Sequence, residues 1–586
     1  MNLIPSVRSR ISVPGMCSLE SLKKFRCAGL NATAAGLVAE RFPKLAASHD
    51  KKGFFAEFTA SAKGLSPLDA GNGSDAYVLQ ITEKAIRIDA NTASGLFYGL
   101  QTFLQLPAST PCGTIRDEAS IPIRMIHWDL KGYQPTVKAF LEELKILASF
   151  KINAILLEIE DKYAYRCAPE AGVPDAYTFR DLRKISRAAA DLHIMIVPKL
   201  QCLAHVDYLL KHKRYHALRE AGYSFQYCAT NPDAQKLWNA MADELIECFA
   251  EHKQYFHIGA DETDHLGVCP ECRKLGKGGS YIYKLERSID HLISRGRTPV
   301  MWEDILRNAH NNLSPEEARQ CWSLGKKAVL MYWAYGYGGK NNTFPSLKSY
   351  LAEGMRVWGA SGFAGCDNWA GSLPPLDFRG ANIDAWTKSA IEEKLECVVA
   401  TGWTRIASAD CPAEPQESSW FTILYAAASM WSGTPRDFTK FIYDLSLLLY
   451  GEIPEPELVE AVRHISKAPY RLESLADKDF SNRRLAFLRL AAAAESLSVE
   501  RDLFCNWNQY FFGKLGKSLA DYRVNYMNRY PVLRAEKIQA FKKQILPVLR
   551  EFYAETTVAD FMNTRFGYLE KIIADTAALV RKTKKC

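Results

Sequence analysis

At 586 residues the chain is too long for a single hydrophobic core and points to two to four domains. Its 48% hydrophobic and 24% charged residues are the proportions of an ordinary globular protein, and its net charge of +8 is scattered, without the basic stripe of a nucleic-acid binder. No stretch approaches the roughly 18–20 apolar residues of a membrane helix and the N-terminus lacks the apolar run of a secretory signal, so neither nucleic acid nor membrane is expected as a partner and a cytoplasmic location is expected.

The first 120 residues mix strand and helix signals. YVLQI and AIRID, at 77–81 and 85–89, read as paired strands; SGLFYGLQTFLQL, at 94–106, reads as an amphipathic helix with Ser94 as N-cap and Pro107 beyond its end. Residues 1–120 are therefore expected to form a small α+β domain. From about Pro122 the rhythm becomes strand and helix in alternation. Strand candidates are IRMIHWD, NAILLEIE, HIMIVPKL, QYFHIGAD, TPVMWED, AVLMYWA, MRVWGAS and CVVATGW, most of them separated by helical patterns such as VKAFLEELKILASF and FRDLRKISRAAADL. Eight such units over residues 121–434 fit a parallel (β/α)8 TIM barrel. An open doubly wound sheet is the alternative, but no Gly-rich phosphate turn follows the first strand. Residues 435–586 carry apolar stripes without strand alternation, as in FTKFIYDLSLLLYG, RRLAFLRLAAAAESLSVERDLF and EKIQAFKKQILPVLREFYAE, and predict a helical domain ending in the short basic tail RKTKKC.

A barrel gathers its chemistry where the strands end. There, at the expected end of the fourth strand, HIGADE places Asp261 and Glu262 side by side. Strand alternation puts His257, Gly259 and Asp261 on one face, and a turn beyond Asp261 brings Glu262 into the same pocket. A glycosidase ordinarily flanks the scissile bond with two carboxyls about 5 Å apart or more, which sequence neighbours can hardly do. The geometry is solved if the substrate's own 2-acetamido oxygen attacks the anomeric carbon. Glu262 then protonates the leaving oxygen, a role that the adjacent anion favours, while Asp261 orients the acetamide and stabilises the oxazolinium cation.

HIGADE resembles the His-x-Gly-x-Asp-Glu signature of glycoside hydrolase family 20, the exo-β-N-acetylhexosaminidases, and the helix at 94–106 and the eight-strand pattern are similar to the family's N-terminal domain and barrel. The resemblance spans about residues 75–432 and implies retaining removal of terminal β-linked GlcNAc or GalNAc from a small-molecule or glycan substrate, with no cofactor required. It further implies that Asp161 and His205 support the catalytic pair, and that Trp302, Trp333 and Trp403 wall the sugar pocket. Tyr332 or Tyr335 is implied as the hydroxyl on the acetamide; the spacing leaves both open. Two positions depart from the family. Lys131 and Gly132 stand where the first strand is expected to lead to a sugar-binding Arg, and Arg405 replaces the Glu expected after the eighth strand. Both resemble the hexosaminidase D-like branch. They keep open a barrel that binds sugar without cleaving it, or a hexosaminidase that needs a modified, for instance sulfated, sugar.

The 15 cysteines are odd in number and scattered, which argues against a disulfide framework. Cys269 and Cys272 form a CxxC expected in the loop after the fourth strand, and Cys228 lies in the preceding loop. With Cys202 or His265 as fourth ligand they make a candidate structural Zn2+ site, the alternative being unlinked reduced thiols.

Overall fold

The structure is a computed structural model that describes residues 3–21, 24–28, 31–43, 46–47, 55–60, 75–308, 313–336, 342–366, 371–405, 407–408, 410, 412–464, 470–496, 535–567, 569–571 and 574. Seven strands, β1 (Ser9–Ser18), β2 (Lys24–Ala28), β3 (Ala46–Ala47), β4 (Phe55–Ala60), β5 (Tyr77–Ile81), β6 (Ala85–Ala90) and β7 (Ser109–Asp117), form one sheet in the order β1-β7-β5-β6-β4-β2-β3. Pairing is antiparallel through β1, β7, β5 and β6, and parallel from β6 to β4, β2 and β3. The helix Ala93–Leu104 lies on this sheet, and nine of its residues are buried. Thr92, not Ser94, is its N-cap: the Thr92 hydroxyl accepts the Gly95 N–H at 3.0 Å, two residues earlier than the apolar pattern alone indicates.

The eight barrel strands fall within the apolar runs that mark them in the sequence: β8 (Ile123–Asp129), β9 (Ala154–Glu158), β10 (Met195–Lys199), β13 (Tyr255–His257), β14 (Thr298–Trp302), β15 (Val329–Trp333), β16 (Val357–Ala364) and β17 (Cys397–Gly402). All pair in parallel, and the β17–β8 ladder, Cys397 opposite Ile123 to Ala400 opposite Ile126, closes the cylinder. Between β10 and β13 the chain inserts a two-stranded hairpin, β11 (Arg219–Glu220) and β12 (Tyr223–Tyr227). Inward positions, among them Met125, Leu156, Val197, Val300, Met331, Trp358 and Val399, fill the barrel as one apolar cluster. The opposite faces of the strands join the larger core beneath the outer helices. The last of these, Trp420–Ser432, has twelve buried residues and completes the eighth strand–helix unit.

A buried polar junction ties the first sheet to the barrel. The Asp117 carboxylate, at the end of β7, accepts from Tyr77 Oη at 2.7 Å, Lys151 Nζ at 2.9 Å and Trp431 Nε1 at 3.0 Å. A buried ion pair with this many partners fixes orientation more than it stabilises. Beyond the barrel, helices occupy Phe438–Leu449, Pro456–His464, 483–496, Ala535–Phe552 and Glu555–Met562, as the apolar stripes predict. Residues 497–504 of the expected middle helix and the basic tail at 581–586 lie outside the described residues.

Candidate active site

The segment after β13 decides the geometry of the pocket. The strand itself is only three residues long, shorter than QYFHIGAD implies, so alternation does not carry Asp261 to the inner face. Gly259 (φ +69°), Ala260 (φ +79°) and Glu262 (φ +48°) instead take left-handed backbone. For non-glycine residues that conformation costs on the order of 1 kcal/mol or more each, and it persists where surrounding contacts hold it. Gln201, two residues beyond β10, supplies such contacts: its Oε1 accepts the Ala260 N–H at 3.1 Å and its Nε2 donates to Asp261 Oδ1 at 2.9 Å. Tyr281 Oη donates to the Ala260 carbonyl at 2.9 Å, and the Glu262 N–H donates to Asp304 Oδ2 at 3.0 Å.

The result is that two neighbouring carboxylates face the same imidazole. His205 Nε2 lies 3.5 Å from Asp261 Oδ2 and 3.3 Å from Glu262 Oε2. Asp261 is enclosed, with 7% of its side chain exposed, whereas Glu262 keeps 39%. Burial favours the neutral imidazole, but the charges of Asp261 and Glu262 outweigh it and raise the pKa of His205 above its ordinary value. Phe225, on β12, packs edge-on against the His205 ring at 4.6 Å. Burial, reinforced by the Asp261 charge, pushes Asp304 well above the usual carboxylate range.

An aromatic wall lines the same pocket as the pair. Trp333 and Tyr335 stack with ring centroids 5.4 Å apart, and Trp403 Nε1 donates to Tyr335 Oη at 2.9 Å. Gly365 and Cys366 complete this side. Gly365 has φ +62°, and a Cβ there would overlap the Trp403 carbonyl, so only glycine lets β16 end so close to that tryptophan.

The floor is charged and closed. Glu158, at the end of β9, is bound by Lys199 Nζ at 2.7 Å, His127 Nε2 at 2.9 Å and Lys131 Nζ at 3.3 Å. Burial alone would raise the pKa of Glu158, yet Lys131 and Lys199 hold it well below the carboxylate range. Lys131 also lies 3.6 Å from Asp129 and 5.0 Å from the Trp403 ring centroid. Burial disfavours the charge on Lys131, and Asp129 and Glu158 more than restore it. Beside it, Arg405 donates to Asp161 Oδ2 at 2.8 Å.

Of the residues singled out in the sequence, Lys131, His205, Asp261, Glu262, Trp333, Tyr335, Trp403 and Arg405 line this one pocket. Asp161, Trp302 and the CxxC stand elsewhere than expected, and of the two tyrosines left open one reaches the pocket. Asp161 pairs with Arg405 and with Lys162 at 3.1 Å, and among the described residues no hydrogen bond or ion pair joins it to His205 or the catalytic pair. Trp302 is fully buried below the pocket, 4.7 Å from His257 and 5.5 Å from Trp403, so it supports the wall and is not part of it. Tyr332 points outward from β15 onto Trp386 and Tyr350, which assigns the pocket tyrosine to Tyr335. The CxxC lies not in a loop but at a helix start: Cys269 is the N-cap of Pro270–Ser294 and its Sγ accepts the Cys272 N–H at 3.3 Å.

Cys228, Cys269 and Cys272 do converge, and the group beside them is Glu220. Cys202 is buried elsewhere, and His265 stacks on Tyr223 at 3.7 Å, so neither expected fourth ligand is in place. Sequence reasoning also missed Gln201, Asp304 and Cys366. Gln201 and Asp304 lie two residues past barrel strands, where functional groups concentrate, so position was the available signal.

Two family models match the chain: glycosyl hydrolase family 20, domain 2, over residues 1–118, and the catalytic domain of the same family over residues 135–342. Hexosaminidase D of Homo sapiens is 26% identical over 300 residues, covering 48% of this chain and 60% of that protein, and its Bos taurus counterpart is 26% identical over 298 residues, covering 48% and 84%. The chain thus spans less than two thirds of the human relative's length. Among solved structures, a Flavobacterium johnsoniae chitobiase superposes with a TM-score of 0.61 at 16% identity, covering 99% of this chain and 96% of the other, a likeness of fold.

Proposed function

The chain belongs to glycosyl hydrolase family 20, and from that premise we propose that the pocket is the active site of a retaining exo-β-N-acetylhexosaminidase using its substrate's acetamide as nucleophile. The observation that carries this reading is the shared imidazole. Both carboxylates approach His205 and belong to consecutive residues, so both meet a bound sugar from one side, which does not suit the opposed pair of a two-carboxylate mechanism. A nucleophile must then come from elsewhere. The 2-acetamido oxygen of a terminal β-linked GlcNAc or GalNAc is placed to attack its own anomeric carbon.

In this reading the more exposed Glu262 reaches the glycosidic oxygen and donates its proton, then accepts one from the incoming water. Asp261, held by Gln201, accepts the acetamide N–H and stabilises the oxazolinium cation. Trp333, Tyr335 and Trp403 offer apolar faces to the sugar and its methyl group and keep water from the nucleophile. No step calls for a metal. Arg405 and Lys131 are held by Asp161, Asp129 and Glu158, so each stands as a hydrogen-bond donor for sugar hydroxyls more than as an uncompensated charge for a sulfate. That weighs against a requirement for a sulfated sugar.

Hydrolysis of the nitrophenyl β-glycosides of GlcNAc, GalNAc and glucose tests the reading. Cleavage of the acetamido sugars without glucose is expected. Equal cleavage of the glucoside, or binding of GlcNAc with no cleavage of any of the three, contradicts it.

A further inference from the structure

We propose that Glu220, Cys228, Cys269 and Cys272 form a structural zinc site that clamps the β11–β12 hairpin to the segment following the catalytic pair. Cys228 Sγ lies 3.6 Å from Cys269 Sγ and 3.7 Å from Cys272 Sγ, and Cys272 Sγ lies 3.2 Å from Glu220 Oε2. All four ligand atoms fall within 4.8 Å of one another. A tetrahedral Zn2+ with sulfur at about 2.3 Å and oxygen at about 2.0 Å has S–S edges of about 3.8 Å and S–O edges of about 3.5 Å. The two separations from Cys228 fit the S–S edges of that polyhedron, and the 3.2 Å from Cys272 Sγ to Glu220 Oε2 lies close to its S–O edge. They are far from the roughly 2.05 Å of a disulfide.

The surroundings are those of a built site. Glu220 is 1% exposed, and its Oε1 accepts the backbone N–H groups of Val268 and Cys269 at 2.9 and 2.6 Å, which turns Oε2 toward the sulfurs. Thr230 Oγ1 lies 3.3 Å from Cys272 Sγ and 3.5 Å from Cys228 Sγ, so its hydroxyl serves the thiolates as an outer partner. Cys269 sits at the N-terminus of the helix Pro270–Ser294, where peptide dipoles favour negative charge. A buried carboxylate aimed at three sulfurs is costly without a cation, and zinc supplies one.

The ligands come from two loops that build the active site. Phe225, between Glu220 and Cys228, packs on His205, while Cys269 and Cys272 follow Glu262 closely in the chain. Gln226 bridges the same two loops, its amide bonding the His265 carbonyl at 3.0 Å and N–H at 3.2 Å. The zinc fixes His205 and the pair relative to one another without touching substrate.

Elemental analysis of the purified full chain tests this. One zinc per chain is expected, retained on dialysis and released when a mercurial titrates the thiols; protein grown in cobalt is expected to show thiolate-to-cobalt charge transfer and tetrahedral band intensities. Cys269→Ser with Cys272→Ser, and Glu220→Gln as a milder variant, lose the metal, whereas Cys202→Ser keeps it. A wild-type chain free of metal that takes up no cobalt overturns the proposal, as does full zinc retention in both ligand variants. Metal content is read without substrate, so failure here is distinct from failure of the glycosidase reading.

Discussion

Gly259 and Gln201 form a mechanical unit, and their coupling can be calculated from the contacts. In Gly259→Ala the new Cβ lands on Gln201 Oε1, at a residue with φ +69°. The left-handed conformation costs alanine about 1 kcal/mol. The Gln201 tip is flexible and moves aside, but moving forfeits its bonds to the Ala260 N–H and to the Asp261 carboxylate. A neutral hydrogen bond contributes about 1 kcal/mol and one to a charged group about 2 kcal/mol, so Gly259→Ala is expected to destabilise by about 4 kcal/mol. Gln201→Ala loses the same two bonds without strain, about 3 kcal/mol. In the double variant the clash has no partner, so its cost should match that of Gly259→Ala alone and leave a coupling energy of about 3 kcal/mol. Urea denaturation of the four proteins measures this, with kcat read in parallel because Asp261 loses its tether in each variant. Additivity within about 0.5 kcal/mol would mean that Gly259 and Gln201 are not coupled.

Other outcomes follow from the same geometry. Tyr335→Phe removes the acceptor of the Trp403 indole N–H and is expected to lower kcat/KM about ten-fold, near 1.4 kcal/mol; Tyr332→Phe, on the outer face of β15, leaves kcat/KM unchanged, and the opposite ranking would reverse the assignment. Glu262→Gln should nearly abolish turnover of substrates with poor leaving groups while sparing those with good ones, and equal slowing of both would remove Glu262 as general acid. His205 has a folded pKa raised above the ordinary 6.5, so its contribution to stability is fully present below about pH 6.5 and is lost as pH rises through the folded value. The stability difference between wild type and His205→Gln should therefore shrink as pH rises above 6.5; a difference that grows would contradict the charged pairing with Asp261 and Glu262.

The barrel was legible because each of its strands is buried and bounded by turns, so eight apolar runs such as AVLMYWA and CVVATGW mark it directly. What lay outside that signal were features set by backbone turns and by residues distant in sequence. Strand alternation applied beyond His257 fails because Gly259 and Ala260 leave the strand conformation, and Tyr335 lies past the end of β15, where alternation no longer places a side chain. The Asp161–Arg405 pair joins residues 244 apart, which no local pattern reveals. Glu220 was invisible as a ligand because it belongs to a two-residue strand whose register only the folded hairpin fixes.

In the proposed mechanism the nucleophile belongs to the substrate. The most direct test is the rate of nitrophenyl β-glycosides of glucosamine carrying acetyl, monofluoro-, difluoro- and trifluoroacetyl groups, since each fluorine weakens the amide oxygen as a nucleophile. A steep, monotonic fall in kcat/KM along the series is expected, with every variant sugar still bound. Rates that stay level across the four substrates would contradict it.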